Sequence, residues 1–402
     1  MSEQKRNIPK LRFPEFTEEW EEKKLGEIAY INDGTHNTPY YVEKGIPFYS
    51  VENVTRNDFI NSKFITEDQY LQYKKRVDIN CGDILMTRIG SIGEVKLVDW
   101  DYPSSFYVSL AIIKLYEGYL PSFILYLIQT NNTKKNIKAN SLVTAIPQKI
   151  NLIDLKKVNI NLSMNLKEQE KIGTFFSKLD RLIELEEKKY ELLEQQKKGY
   201  MQKIFSQELR FKDENGNDFE GWEIKRLKDV LEFSNKRTTR ENEYPVLTSS
   251  RNGLILQSEY YKEGKTFADS NIGYFIIPKG YITYRSRSDD GKFQFNLNSI
   301  VDVGIVSKYY PVFKGINMNQ SYLTMLMNYQ LKKEYIKFAT GTSQLVLSQK
   351  NLKEISTELP ITEEQEKIGN FFDKQDNLIE KQSDKVELLK QRKQGFLQKM
   401  FV

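Results

Sequence analysis

Two residue types are almost missing. Cys81 is the only cysteine and His36 the only histidine among 402 residues. A single thiol cannot close a disulfide within the chain, which argues against a small secreted scaffold. One histidine and one cysteine leave almost no material for a zinc site or a histidine-dependent nucleophile. No run approaches the ~18 consecutive apolar residues of a membrane span. The opening MSEQKRNIPK carries charge with no apolar stretch after it, unlike a signal peptide. A soluble cytoplasmic protein is expected. The chain also lacks the GxxxxGK(S/T) phosphate loop, a glycine-rich cofactor fingerprint after a strand, and the NPP(Y/F) or DPP(Y/F) tetrapeptide of amino-methyltransferases. Its Asp and Glu residues show no spacing that singles out a nuclease metal site, so no catalytic or metal-ligating residue is nominated.

Charge is present but nearly balanced. Sixty basic and 55 acidic residues leave a net +5. So mild an excess permits a polyanion partner without establishing one, and the placement of the charge matters more. Phe and Tyr are abundant, which suits packed β domains and stacking surfaces alike.

What the chain does have is a repeat. Lys167–Phe205 aligns without a gap to Glu363–Phe401, with 23 identities in 39 positions. Both copies carry EQEKIG, then FF, LIE, ELL and QK…F. A second repeated element opens each half: Leu11-Arg12-Phe13 with Trp20 and Leu25, then Leu209-Arg210-Phe211 with Trp222 and Leu227. The chain is therefore two copies of one plan, an opening signature, a divergent body and a long charged helix. Divergent bodies on a common frame suit two related readers better than two lobes sharing one catalytic cleft.

The bodies read as mixed, with short strands. Residues 82–98 alternate strand, glycine-bearing turn and strand, and Gly280–Phe293 occupies the corresponding place in the second half. Helices are expected over 120–136 and 319–338. In the repeated segments, spacing of three and four picks out Phe176, Leu179, Ile183 and Leu193, then Phe372, Ile379, Val386 and Leu389, with Lys, Glu and Gln elsewhere. A helix of 39 residues would be about 58 Å long. Each copy is the natural partner of the other, and antiparallel pairing would set the bodies at opposite ends of a rod. Ordinary packing of each helix within its own half is the alternative. Gly199 and Gly395, matched near the helix ends, suggest a bend or a close helix contact. Gln169, Gln195, Gln365 and Gln391 are expected on solvated faces.

Several polar loops could touch DNA. Thr87-Arg88 and Arg285-Ser286-Arg287 stand at strand-to-turn positions, where arginine can span guanine O6 and N7. Arg237, Arg240 and Arg251 add a basic, hydroxyl-rich surface in the second half, opposite the more neutral Thr35-His36 loop of the first. Ser91, Lys138 and Ser141, with Thr342 and Gln344, complete the candidates. Each alone reads as a solvated loop; as paired clusters in both halves they support a binding face. Gly34, Gly90, Gly93 and Gly341 would supply tight turns.

The duplicated order of these elements resembles the specificity subunit of type I restriction–modification enzymes, across essentially the whole chain. The resemblance implies an α+β fold: two globular target-recognition domains separated by a long antiparallel two-helix coiled coil, with a pseudo-twofold repeat. It implies recognition domains at 1–162 and 206–358 and helical spacers at 163–205 and 359–402. Each domain would read one half of a bipartite double-stranded DNA target. The chain would have no catalytic centre and would bind no cofactor itself. It would recruit two modification subunits, which use S-adenosylmethionine to methylate adenine N6, and two restriction subunits, which use ATP and magnesium. It also implies that the start of the chain packs near its end. A stand-alone methyltransferase or nuclease, and a coiled-coil adaptor without DNA, are the competing classes.

Overall fold

The computed structural model describes residues 7–251, 253–260 and 270–402. The chain divides into two α+β units. One joins the residues up to Lys188 to Ser383–Val402, and the other is Lys189–Gln382.

The first unit is built on a four-stranded antiparallel sheet in the order Ala29–Asp33, Leu110–Leu115, Ile84–Thr87, Val95–Leu97. Its central strands, ILMT and LAIIKL, are apolar almost without interruption because both faces are covered. Ile84, Met86, Ala111 and Ile113 face Phe123, Leu127 and Phe176, whereas Leu85, Leu110 and Ile112 face Tyr49, Val54 and Phe106. Val95 returns opposite Met86, so the glycine-bearing segment is a hairpin as expected. Gly90 and Gly93 have positive φ there, but Gly34 does not. Gly34 supplies space instead, since a Cβ would lie 2.1 Å from the Phe106 carbonyl oxygen.

The second unit repeats the plan with Leu231–Ser234, Val312–Gly315, Ile282–Tyr284 and Phe295–Leu297. Each unit also has a small antiparallel pair joining its opening signature to the strand before the long helix: Glu21–Lys24 with Asn159–Leu162, and Glu223–Arg226 with Ser356–Leu359. Both expected body helices are broken. The first is Pro121–Gln129 and Asn131–Ala139, divided at Thr130, whose hydroxyl accepts from Thr133 N and starts the second helix. The second is Gln320–Tyr329, a short 3₁₀ turn, and Tyr335–Phe338.

The repeated segments are single helices, Leu166–Phe205 and Thr362–Met400. Within the first unit, Asp180 pairs with Lys393 and Glu187 with Lys390, both at 2.6 Å, and Glu186 with Lys385 at 2.7 Å. The second helix descends as the first ascends, so the two segments run antiparallel. Within the second unit Lys197 pairs with Asp376, and the Tyr200 and Phe371 rings meet edge-on at 5.1 Å. Asp180 and Asp376 are repeat mates, as are Lys197 and Lys393, so one ion pair is made twice. The apolar stripe is only partly covered. Phe176, Phe372, Ile183 and Val386 are buried, and Leu179, Leu193, Ile379 and Leu389 are half-buried. Gly199 and Gly395 make no close contact, for a Cβ on either would meet nothing within 4 Å.

Candidate nucleic-acid interface

EQEKIG is a clamp that fixes each body to its helix. Glu168 is fully buried, and its two carboxylate oxygens accept from Arg12 Nε at 2.6 Å and Nη2 at 2.9 Å. Trp20 Nε1 adds a bond at 3.2 Å. Glu364 receives the same set: Arg210 Nε at 3.1 Å, Arg210 Nη2 at 2.7 Å and Trp222 Nε1 at 3.2 Å. The glutamines beside them are buried, contrary to the solvated faces expected for Gln169 and Gln365. Gln169 accepts from Leu120 N and donates to Ser163 O; Gln365 accepts from Asn319 N and donates to Pro360 O. Each amide satisfies backbone groups where a body helix begins. The glycine closes the joint. A Cβ on Gly173 would lie 2.3 Å from Ser122 Oγ, and one on Gly369 would lie 2.4 Å from Asn319 Oδ1.

The first unit completes its frame across the chain ends. Leu11 N donates to Lys399 O at 2.8 Å, and Phe401 packs edge-on against Trp20. The second does the same through continuous chain, with Leu209 N on Lys203 O at 3.0 Å and Phe205 against Trp222.

Held on this frame, the second body gathers four cations into one cleft. Arg251, Arg285, Arg287 and Lys292 line it with Thr248, Ser249, Ser250, Gln294 and Tyr310, against Asp289 as the only acid of the lining among the described residues. Three candidates from two separate stretches of sequence thus meet. Arg251 is tethered to Asp290 at 2.8 Å, and the Arg287 guanidinium lies over the Tyr309 ring at 5.1 Å. Arg285 is exposed. Gln344 is drawn in beside them through its bond to Asp289. Arg237 is spread over Phe275 and bonded to Gly273 O, while Arg240 and Thr342 are exposed outside the cleft lining. Such a surface offers several charge-assisted donors with hydroxyls between them, which suits phosphate and base edges together.

The first body differs. Arg88 is a buried anchor and not a presented reader. Its Nε donates to Val108 O at 2.8 Å, Nη1 to Ile150 O at 3.1 Å and Nη2 to Asp33 Oδ2 at 2.7 Å, so three distant segments engage all three of its nitrogens. Thr87 is buried and bonded to Glu94 N. Thr35 is buried but borders a polar cleft with His36, Asn37, Gln72, Tyr73 and Arg76. Burial raises the Asp33 carboxyl, but the Arg76 bond and the charges of Arg88 and Arg76 prevail and hold it below its ordinary value. Ser91 and Lys138 are exposed outside that cleft lining, and Ser141 bonds to Ile137 O. Sequence reading missed Arg76, Gln72 and Lys292. The basic run Lys74-Lys75-Arg76 was the available signal for the first of these.

The family model for the type I restriction modification DNA specificity domain matches residues 17–195 and 219–389. The chain belongs to this family. It is 27% identical to the type I restriction enzyme MjaVIII specificity subunit of Methanocaldococcus jannaschii, over 95% of this chain and 92% of that protein. It is 25% identical to the putative MjaX specificity subunit of the same organism, over 96% and 94%. The fold is similar to that of the S subunit from M. genitalium, with TM-score 0.62, 17% identity and coverage of 98% and 99%. A chain from a type I restriction–modification structure concerned with complex assembly gives TM-score 0.51 at 16% identity, covering 95% and 97%. As a member of the specificity family, the chain is the non-catalytic, sequence-recognising component of a type I restriction–modification system. Among the described residues no group of three or more His, Cys, Asp or Glu side chains could hold a metal, and no helix is long and apolar enough to cross a membrane.

Proposed function

We propose that the two bodies, taken as 1–162 and 206–358, each read one half of a bipartite double-stranded DNA target. The long helices act as an antiparallel coiled-coil spacer that sets the distance between the half-sites. Two modification subunits dock on this frame and methylate adenine N6 with S-adenosylmethionine; two restriction subunits add ATP- and magnesium-dependent cleavage. The complex works in the cytoplasm. The observation that carries this reading is the duplicated clamp: Arg12, Trp20 and Glu168 on one body and Arg210, Trp222 and Glu364 on the other hold different polar clefts in the same way. A conserved mount with a variable face is what two independent readers need.

Exchanging residues 206–358 for the corresponding body of a relative tests it. Methylation-aware sequencing should show one half of the methylated sequence changed and the other retained. Both halves changing together would refute independent reading.

A further inference from the structure

We propose that Arg76 holds a DNA phosphate at the cleft of the first body, with Asp33 as its positioning residue; this rests on the reading of the chain as a duplex-DNA reader. Arg76 follows the helix Glu67–Lys74. Its Nε donates to Asp33 O at 3.2 Å, its Nη2 donates to Asp33 Oδ1, and Nη2 lies 3.5 Å from His36 Nε2. Among the described residues Nη1 makes no bond, and the side chain is 45% exposed.

The charge balance favours an anion here. The Asp33 side chain is only 3% exposed and meets two guanidiniums, those of Arg76 and Arg88. One carboxylate cannot neutralise both. Arg88 is buried with Nε, Nη1 and Nη2 all bonded inside the body, so the surplus positive charge emerges at Arg76. The rest of the cleft lining, Thr35, His36, Asn37, Gln72 and Tyr73, contains hydrogen-bonding side chains and, among the described residues, no acid.

The way Arg76 is held selects among anionic and polar parts of DNA. Reading guanine takes two N–H groups of one guanidinium presented in parallel. Arg76 commits Nε and one Nη2 N–H to Asp33, and Nη2 also approaches His36 Nε2 at 3.5 Å, so Nη2 is flanked on both sides and Nη1 is the nitrogen left without a bond among the described residues. A single charge-assisted donor suits a phosphate oxygen. The bonds to Asp33 also order the side chain in advance, which lowers the entropy lost when DNA arrives.

The test uses the full chain assembled with its modification subunits. It is titrated over a salt series with a duplex carrying the sequence it methylates and with a scrambled duplex. Arg76→Ala should weaken both complexes by roughly three- to tenfold and make the salt dependence shallower by about one phosphate contact, with the methylated sequence unchanged. Arg76→Lys should restore most of the salt dependence because it keeps the charge. Arg76→Gln, with a melting curve matched to wild type, separates lost charge from misfolding and should behave like the alanine variant. Wild-type binding together with an unaffected Arg76→Gln complex would overturn the assignment of Arg76. So would a loss confined to the target duplex with an altered methylated sequence, which would make Arg76 a base reader. A wild-type complex that retains neither duplex would overturn the underlying reading and this assignment with it.

Discussion

Arg12 grips the fully buried Glu168 through both carboxylate oxygens, and Arg210 grips Glu364 in the same way. The two pairs differ in exposure: the Arg12 side chain is 10% exposed and that of Arg210 21%. Removing a carboxylate from such a site leaves a buried cation and an indole N–H without their partner, at a cost of about 3–5 kcal/mol. Glu168→Ala should therefore destabilise its unit by that order, and Glu364→Ala by less. Denaturant unfolding followed by tryptophan fluorescence reads both, since Trp20 and Trp222 donate to these carboxylates.

The helix glycines should respond in opposite directions. Gly173→Ala drives a Cβ against Ser122 and should cost about 1–3 kcal/mol. Adding Ser122→Gly should recover part of that loss. Gly199→Ala meets nothing and should stabilise the helix by up to about 1 kcal/mol through propensity alone. Thermal melts of the three variants check the contrast, and a stabilising Gly173→Ala would show that the joint has room for a methyl group.

Arg88→Ala is expected to act on folding. It removes the bonds to Val108 O and Ile150 O and one partner of buried Asp33, a loss of about 3–5 kcal/mol. Hydrogen exchange should rise in the strands Ala29–Asp33 and Leu110–Leu115. Methylation by whatever protein remains folded should keep its sequence, and a relaxed sequence at full stability would return Arg88 to the role of base reader.

Arg285 and Arg287 carry the opposite expectation. Both are exposed on the cleft of the second body. Alanine at either should leave the melting curve close to wild type while relaxing or weakening recognition, by about 1–3 kcal/mol where the arginine spans a guanine. The change should fall in one half-site only, as read by sequencing of methylated DNA.

The frame was the legible part. Its residues recur at matched positions, so the repeat exposed Arg12, Trp20, Glu168 and Gly173 together with their mates, and helical spacing marked Phe176 and Phe372 as core. What Glu168 and Gln169 do was hidden, because their partners lie far away in sequence and a polar residue on a charged helix reads as solvated.

The sites were legible in part. Arg88 and Arg285 occupy equivalent strand-to-turn positions, and nothing local separates them. Folding brings Asp33, Val108 and Ile150 around Arg88 and encloses it, whereas Arg285 stays open beside Arg251 and Arg287. The same assembly lifts Arg76 out of an ordinary basic run by fastening it to Asp33. The amino-acid sequence by itself determined the duplication, the two long helices and the division into divergent bodies, because periodicity and repetition are local properties of a chain. Only the tertiary structure decided which arginines are buried and which are presented. The energy of a charged group depends on the carboxylates, carbonyls and water that reach it, and those arrive from segments that sequence order keeps apart.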